Sequence, residues 1–330
     1  MLRESKYTER SFQLLRFMIA SFTLSRVVGA SLLWLLCCFL ASAQERTVAV
    51  TFDDLPAVGT SDPAEAGSIN RAILDCLARH HTPATAFVIE KKVQDIGNAP
   101  SIEILTQWVR RGHDLGNHSY SHADFDEMNV EQAEREIVLG GKSITEVLKS
   151  FGKTPHYFRF PMNHTGDTRA KHDAAGAFLA QHGYTLATST IENEDYVFNA
   201  TYLRMLARKD TESAKRLRSE YLAYTKAEID FYRALNTQVF GYEPPQVMLL
   251  HANRLNAEML EAVLRLFEEE HYSFVKLDRA QADPAFRTPD TFISPQGPMW
   301  GYRWAAERGV KVVGSSETEP PAWILEYGKP

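Results

Sequence analysis

Three cysteines in 330 residues are too few for a disulfide-built scaffold. Cys37 and Cys38 lie inside an N-terminal apolar run, so only Cys76 remains beyond it, and a lone thiol makes no intramolecular bridge. The fold must therefore stand on its hydrophobic core, for which an apolar content of 44% is sufficient. Cys76 itself falls in an amphipathic stretch and reads as a small buried apolar residue. The chain also lacks any run of Lys or Arg. With 36 basic against 42 acidic residues its net charge is −6, which argues against a nucleic-acid partner. Internal repeats and low-complexity linkers are absent, and the length suits one large domain or two small ones.

Nor does the N-terminal apolar run, residues 27–40, have the length of a membrane span. Arg26 precedes it and Ala41-Ser42-Ala43 follows, the three regions of a secretory signal. Residues 1–43 are thus predicted to be a signal peptide cleaved after Ala43, giving a secreted or periplasmic protein with possible cell-envelope association; an uncleaved N-terminal membrane anchor is the alternative. The n-region is long for a signal, which makes Met18 a rival start to Met1. No good lipobox precedes Cys37 or Cys38.

Beyond residue 44, strand and helix patterns alternate. Seven short β-branched or apolar runs read as strands, at 46–56, 84–89, 114–117, 156–160, 184–189, 246–250 and 272–276. Helical spacing fills most intervals: one after Asp62, with Asp62 as cap, Pro63 in the first turn and Glu65 completing a capping box; then 101–111, 130–151 with a bend at Gly140-Gly141, 168–182 and 257–270. Such alternation predicts an α/β fold with a parallel sheet, and seven units suit a closed barrel better than an open sheet. Residues 201–235 stand outside it, too long for a barrel helix. They form either a helical hairpin that narrows the mouth of the site or an outer helix with a packing role. In the Pro-, Gly- and aromatic-rich tail, 284–330, Trp300, Tyr302 and Trp304 either stack on sugar rings or glue the tail to the barrel.

The chemistry gathers just after the strands. Asp53 and Asp54 end the first one, and two adjacent carboxylates repel unless a cation sits between them. A metal ion would serve, held with His118 and His122 of His118-Ser-Tyr-Ser-His122; so would the guanidinium of Arg159. Two imidazoles and a carboxylate are a ligand set for catalytic zinc, and equally for ferrous iron in an oxygenase. Asp53, Asp54, His118, Arg159 and His251 all follow predicted strands, where the sites of parallel barrels lie. His80, His81, His113 and His172 have no such setting and read as structural or solvent-facing.

These residues resemble a known family. Thr51-Phe-Asp-Asp54 and the H-S-x-x-H segment are similar to the first two motifs of the polysaccharide deacetylases, the NodB-type carbohydrate esterases of family 4. Arg159-x-Pro161 resembles the third motif, Asp195-Tyr196 loosely the fourth, and Leu249-Leu250-His251 the fifth, in the family's order. The resemblance implies a distorted (β/α) barrel spanning residues 44–283, with the insertion at about 201–235 and the tail packed on it. It implies a hydrolase that removes N-acetyl groups from a carbohydrate and binds a divalent metal, zinc being expected. Asp54, His118 and His122 would hold the metal, Asp53 would be the general base, oriented by Arg159, and His251 the general acid, supported by Asp195. The backbone N–H of Met162 would stabilise the oxyanion. The sequence departs from the family where Met162-Asn163-His164 replaces its usual tyrosine and glycine, and where Glu192, Asp195 and Tyr196 fill the fourth motif. A metal amidase acting on a non-sugar amide, or a non-catalytic carbohydrate-binding module of the same fold, is the competing reading.

Overall fold

The strand that begins the alternation, β1 (Thr47–Leu55), is buried almost end to end. Its side chains alternate between two environments, as a two-residue pleat requires. Val48, Val50 and Phe52 face the large core under the helices, while Ala49 joins an inner cluster with Phe87, Tyr157, Ala187 and Val247. Thr51 and Asp53 share the parity of Ala49 and so point inward. The computed structural model describes residues 45–314 and 317–328. The signal-sequence reading of residues 1–43, with Cys37, Cys38 and the choice between Met1 and Met18, lies outside the described residues.

The elements follow β1 in order. α1 (Pro63–Arg79) leads to β2 (Ala84–Val88), and α2 (Glu90–Ile96) and α3 (Asn98–Arg110) lead to β3 (Asp114–Asn117). α4 (Val130–Gly140) and α5 (Lys142–Lys149) precede β4 (Tyr157–Phe158), and α6 (Arg169–Gln181) precedes β5 (Thr185–Leu186). α7 (Asp195–Ala207) and α8 (Thr211–Phe240) connect to β6 (Gln246–His251), and α9 (Arg254–Glu269) to β7 (Ser273–Phe274). The tail carries α10 (Leu277–Gln281), α11 (Trp300–Glu307) and α12 (Ala322–Tyr327). The strands run in the order β5-β4-β3-β2-β1-β6, with β7 against the start of β1, and every pairing is parallel.

The chain leaving β5 joins the two edges of this curled sheet. Ala187 N–H donates to the Phe158 carbonyl, Thr190 and Ile191 N–H donate to Val247 O, and Leu249 N–H donates to Ile191 O. The architecture is the distorted (β/α) barrel expected. Parallel register then sets Asp53 opposite His251. Helix α10 packs Leu277 and Ala280 into the inner cluster, while Phe52 meets the Trp108 ring edge-on at 5.6 Å on the outer side. Each such large side chain, fully buried, contributes about 1.5–3 kcal/mol.

Several local expectations differ from what folds. Asp62 caps α1 by accepting Ala64 N–H at 2.8 Å, but its own N–H donates to Thr60 Oγ1 at 3.0 Å, so Glu65 closes no capping box. The helix expected from residue 101 begins at Asn98, preceded by the unanticipated α2; Gly97, at φ 113°, makes the turn between them. The 130–151 stretch is two helices that part at Gly141. A Cβ at Gly140 would lie 2.4 Å from the backbone carbon of Ser119, so only glycine lets this helix approach the 118–122 loop. β4 is shorter than expected because Pro161 ends its ladder.

The 201–235 stretch belongs to a longer helix pair, α7 and α8, turned at Lys209 (φ 56°) and capped where Asp210 accepts Ser213 N–H at 3.1 Å. Phe198 of α7 meets the Tyr221 and Tyr224 rings at 5.4 and 5.3 Å, and Tyr221 Oη donates to Asn256 Oδ1 at 2.6 Å. Its aromatic face is engaged in packing, and no residue of 201–235 lines the cleft described below. The stretch thus forms most of a helical hairpin, as one reading expected, but its observed role is packing and none of its residues narrows the cleft. In the tail, Trp300 and Trp304 are buried, Trp304 meeting the rings of Phe240 and Phe286 at 5.2 and 5.3 Å. Tyr302 Oη donates to Glu317 Oε2 at 2.5 Å. These side chains hold the tail to the barrel and do not face the cleft. Among the described residues no helix is long and apolar enough to cross a membrane.

Candidate active site

At the C-terminal strand ends lies a cavity of ≈ 450 Å³. Asp53, Asp54, His118, His122, Met162 and His251 line it together with Glu192, Tyr196 and Gly297. Arg159 and Asp195, each 1% exposed, lie directly behind it. The structure thus brings every sequence-predicted site residue to one place.

Two adjacent aspartates on a regular strand would face opposite sides. Here the β1–β2 register shifts between Phe52 and Leu55, and Asp54 adopts φ 69°. The irregularity turns both carboxylates toward the cleft. Their partners keep them distinct. Asp53 Oδ1 accepts from Arg159 Nη1 at 2.8 Å, leaving Oδ2 toward the cleft, 3.7 Å from His118 Nε2. Asp54 Oδ2 accepts from Lys92 Nζ at 3.1 Å, while Oδ1 is buried without a hydrogen-bond partner, 3.6 Å from His118 Nε2 and 3.4 Å from His122 Nε2. Burial works to raise the pKa of Asp54, but the charge of Lys92 and then the imidazoles of His122, His251 and His118 outweigh it and hold the carboxyl well below its ordinary range.

The histidines are oriented from behind. His118 Nδ1 donates to the Arg159 carbonyl at 2.8 Å, which fixes the tautomer and leaves Nε2 as a lone pair toward Asp54. Burial pushes its pKa down to about 4, so the ring is neutral at pH 7, as a metal ligand must be. The 118–122 loop is not helical. Ser119 (φ 67°) and His122 (φ 60°) are left-handed, and the two imidazole centroids stand 5.0 Å apart. Glu136 of α4 secures the loop by accepting Ser121 N–H at 2.7 Å and Oγ–H at 2.9 Å. Arg159 does more than hold Asp53: it also donates to Thr51 Oγ1 at 2.8 Å and Ala187 O at 3.2 Å, and stacks 4.3 Å over the Phe87 ring.

On the other wall, His251 Nδ1 donates to Asp195 Oδ1 at 2.5 Å, so Nε2 is the nitrogen left for the cleft. Asp195 Oδ2 accepts from His251 N–H at 2.7 Å and from Asn253 and Asn256 side chains. Burial alone would depress His251, but the charge and hydrogen bond of Asp195, then Asp54 and Asp53, push it up to about 9. Glu192, at the same rim, is pushed up to about 7 by burial and by Glu194 and Glu317.

Lys92, Gly297, Arg303, Asn253 and Asn256 were not foreseen as site residues. The tail supplies two of them. A Cβ at Gly297 would lie 1.8 Å from the Met162 carbonyl oxygen, so the tail backbone rests on the loop at residues 161–164. Arg303 donates to the Asn163 carbonyl at 2.5 Å and to Thr165 Oγ1 at 3.0 Å. Met162 and Asn163 are left-handed, as are Asp54, Ser119, His122 and Glu194, so six of the nine non-glycine residues at positive φ among the described residues lie in the segments that build this cleft; His81, Lys209 and His271 lie in turns elsewhere. Each such residue costs about 1–3 kcal/mol and persists where the surroundings hold it, a pattern of functional sites.

Residues 41–187 match the family model described as polysaccharide deacetylase. Over that stretch the chain is similar to the polysaccharide deacetylases. Among curated deacetylases, a chitin deacetylase of Arthroderma benhamiae is 29% identical over 153 residues, 46% of this chain and 35% of that one. A peptidoglycan-N-acetylglucosamine deacetylase of Bacillus cereus is 31% identical over 123 residues, 37% of this chain and 49% of its own. In neither case does the chain span half of the relative's length. The fold is shared with the crystal structure of a carbohydrate esterase family 4 pseudoenzyme from Bacillus anthracis, at TM-score 0.50 and 15% identity, covering 72% of this chain and 66% of that one.

Proposed function

We propose that the chain is an exported, metal-dependent hydrolase that removes N-acetyl groups from a carbohydrate. The observation that carries this is the unpartnered, buried Asp54 Oδ1 facing two imidazole Nε2 atoms, beside a differently held Asp53 and His251. One carboxylate oxygen and two imidazole nitrogens fit a catalytic divalent ion, with zinc the expected one. Bound there, it would lower the pKa of a water and polarise the acetyl carbonyl.

The chain's own groups then divide the proton work. Asp53, its Oδ1 held by Arg159, receives the water proton on Oδ2. The Met162 N–H donates to the oxygen on which negative charge develops. His251 Nε2 delivers a proton to the leaving nitrogen, and acetate and a free amine result. That the substrate is a carbohydrate is supported by the curated relatives, which are named for chitin, chitooligosaccharides and peptidoglycan. Export rests on the signal-like residues 1–43, and we assign the deacetylase unit to 44–283 with 284–330 as its supporting tail.

Acetate release from peptidoglycan, chitin oligomers, acetyl-xylan and an N-acetylated non-sugar amine, measured in parallel, tests the reading. Release from an N-acetylated glycan supports it; release only from a non-sugar amide moves the chain to the amidase reading; none from any substrate favours a binding module.

The rate should fall on the alkaline side as His251 loses its proton. Asp195 raises the His251 pKa, so Asp195→Asn is expected to move the alkaline limb to lower pH. An unmoved limb in the pH–rate profile would assign that support to another group. Gly297→Ala is expected to displace the 161–164 loop and lower kcat about 10-fold or more with the ion at Asp54, His118 and His122 retained, since small misplacements at a reacting centre are costly. A native rate would show that this loop does not set the oxyanion contact.

A further inference from the structure

A second constellation lies behind the Met162 loop. Asp124, Asp126 and His164 each place one ligand atom within 4.8 Å of the others. His164 Nδ1 stands 2.7 Å from Asp124 Oδ1 and 3.4 Å from Asp126 Oδ2. Asp126 is 8% exposed, and its Oδ2 is buried without a hydrogen-bond partner.

The rest of Asp126 is fixed: Oδ1 accepts Gly166 N–H at 2.9 Å, and its carbonyl accepts from Lys171 Nζ at 2.6 Å. The nearby cations are committed elsewhere. Lys171 pairs with Asp167 at 2.8 Å, and Arg303 with Asp290 at 3.2 Å. Two carboxylates thus converge with one imidazole, and one oxygen is kept dry and unused. A protonated His164 would neutralise only one of the two charges; a divalent cation neutralises both.

We propose that Asp124, Asp126 and His164 bind a second divalent ion, distinct from the one at Asp54, His118 and His122. Two carboxylate oxygens and one imidazole nitrogen suit a zinc- or manganese-type ion; calcium and magnesium prefer an all-oxygen set. The ion would tie the loop that follows His122 to the loop that carries Met162. Phe125, between the two aspartates, already packs its ring on Phe160 at 5.0 Å, so the two loops meet without it and the ion would lock them. Its bearing on catalysis rests on the deacetylase reading; its binding does not.

The test is a metal count. The full chain is stripped with a chelator, dialysed against Zn²⁺, and its bound zinc measured by elemental analysis beside His122→Ala, His164→Gln and Asp126→Asn. Two equivalents are expected for the native chain and one for each variant. Asp126→Asn keeps an oxygen for Gly166 N–H and serves if His164→Gln does not fold. Two equivalents surviving in both His164→Gln and Asp126→Asn, or a single native equivalent that His122→Ala abolishes, would overturn the proposal. A single equivalent lost in Asp126→Asn but kept in His122→Ala would uphold this ion and overturn the first.

Discussion

Asp53→Asn is expected to keep the ion at Asp54 and to lower kcat by about 10²–10⁴-fold, the scale of a lost general base. The amide still accepts from Arg159 but cannot take the water proton. Asp54→Asn is expected to behave differently. Its Oδ1 is the atom that faces both imidazoles, at 3.6 and 3.4 Å, so its replacement should lose ion and activity together. Zinc content and kcat measured on both variants separate the two carboxylates. Full activity in Asp53→Asn, or zinc retained by Asp54→Asn with loss confined to kcat, would reverse the assignment.

Arg159→Met should be the most damaging substitution for stability. Arg159 is 1% exposed and bonds Asp53, Thr51 and Ala187 at 2.8, 2.8 and 3.2 Å. Removing one partner of a buried ion pair leaves the other uncompensated, at a cost of about 3–5 kcal/mol. Urea unfolding should show that loss in the midpoint with an unchanged slope. Asp53→Asn combined with Arg159→Met should recover part of it, because no charge is then stranded. A loss below about 1 kcal/mol would mean that water reaches the pair and that Arg159 is not the structural hub of the site.

The parts of this site that the sequence disclosed are those tied to period. The short strand runs of β1, β3, β4 and β6 told which residues lie at strand ends, and parallel barrels place chemistry there, so Asp53, His118, Arg159 and His251 were legible in the sequence. Whether two neighbouring aspartates both face the cleft was not legible. It depends on a register shift and a left-handed Asp54, which leave no mark in composition. Lys92 was missed because α2 spans only seven residues directly after a strand, too few for a helical period to show. Gly297 and Arg303 were missed for another reason. They act on Met162 and Asn163 from more than a hundred residues away, through a tail whose aromatics left sugar stacking and packing on the barrel both open, and which packs. The long helix pair was legible as helix, but its partners were not: aromatic residues at helical spacing look alike whether they meet a ligand or another helix.

In the proposed reaction, one ion-dependent site built on Asp54, His118 and His122 performs the hydrolysis. It is tested most directly by the rate of acetate release from chitin oligomers before chelation, after exhaustive chelation, and after Zn²⁺ is returned, in the native chain and in His122→Ala. The rate is expected to vanish on chelation and return with zinc in the native chain, and not to return in His122→Ala, where two ligands hold the ion too weakly. A native rate unchanged by chelation, or a His122→Ala rate equal to the native one, would contradict it.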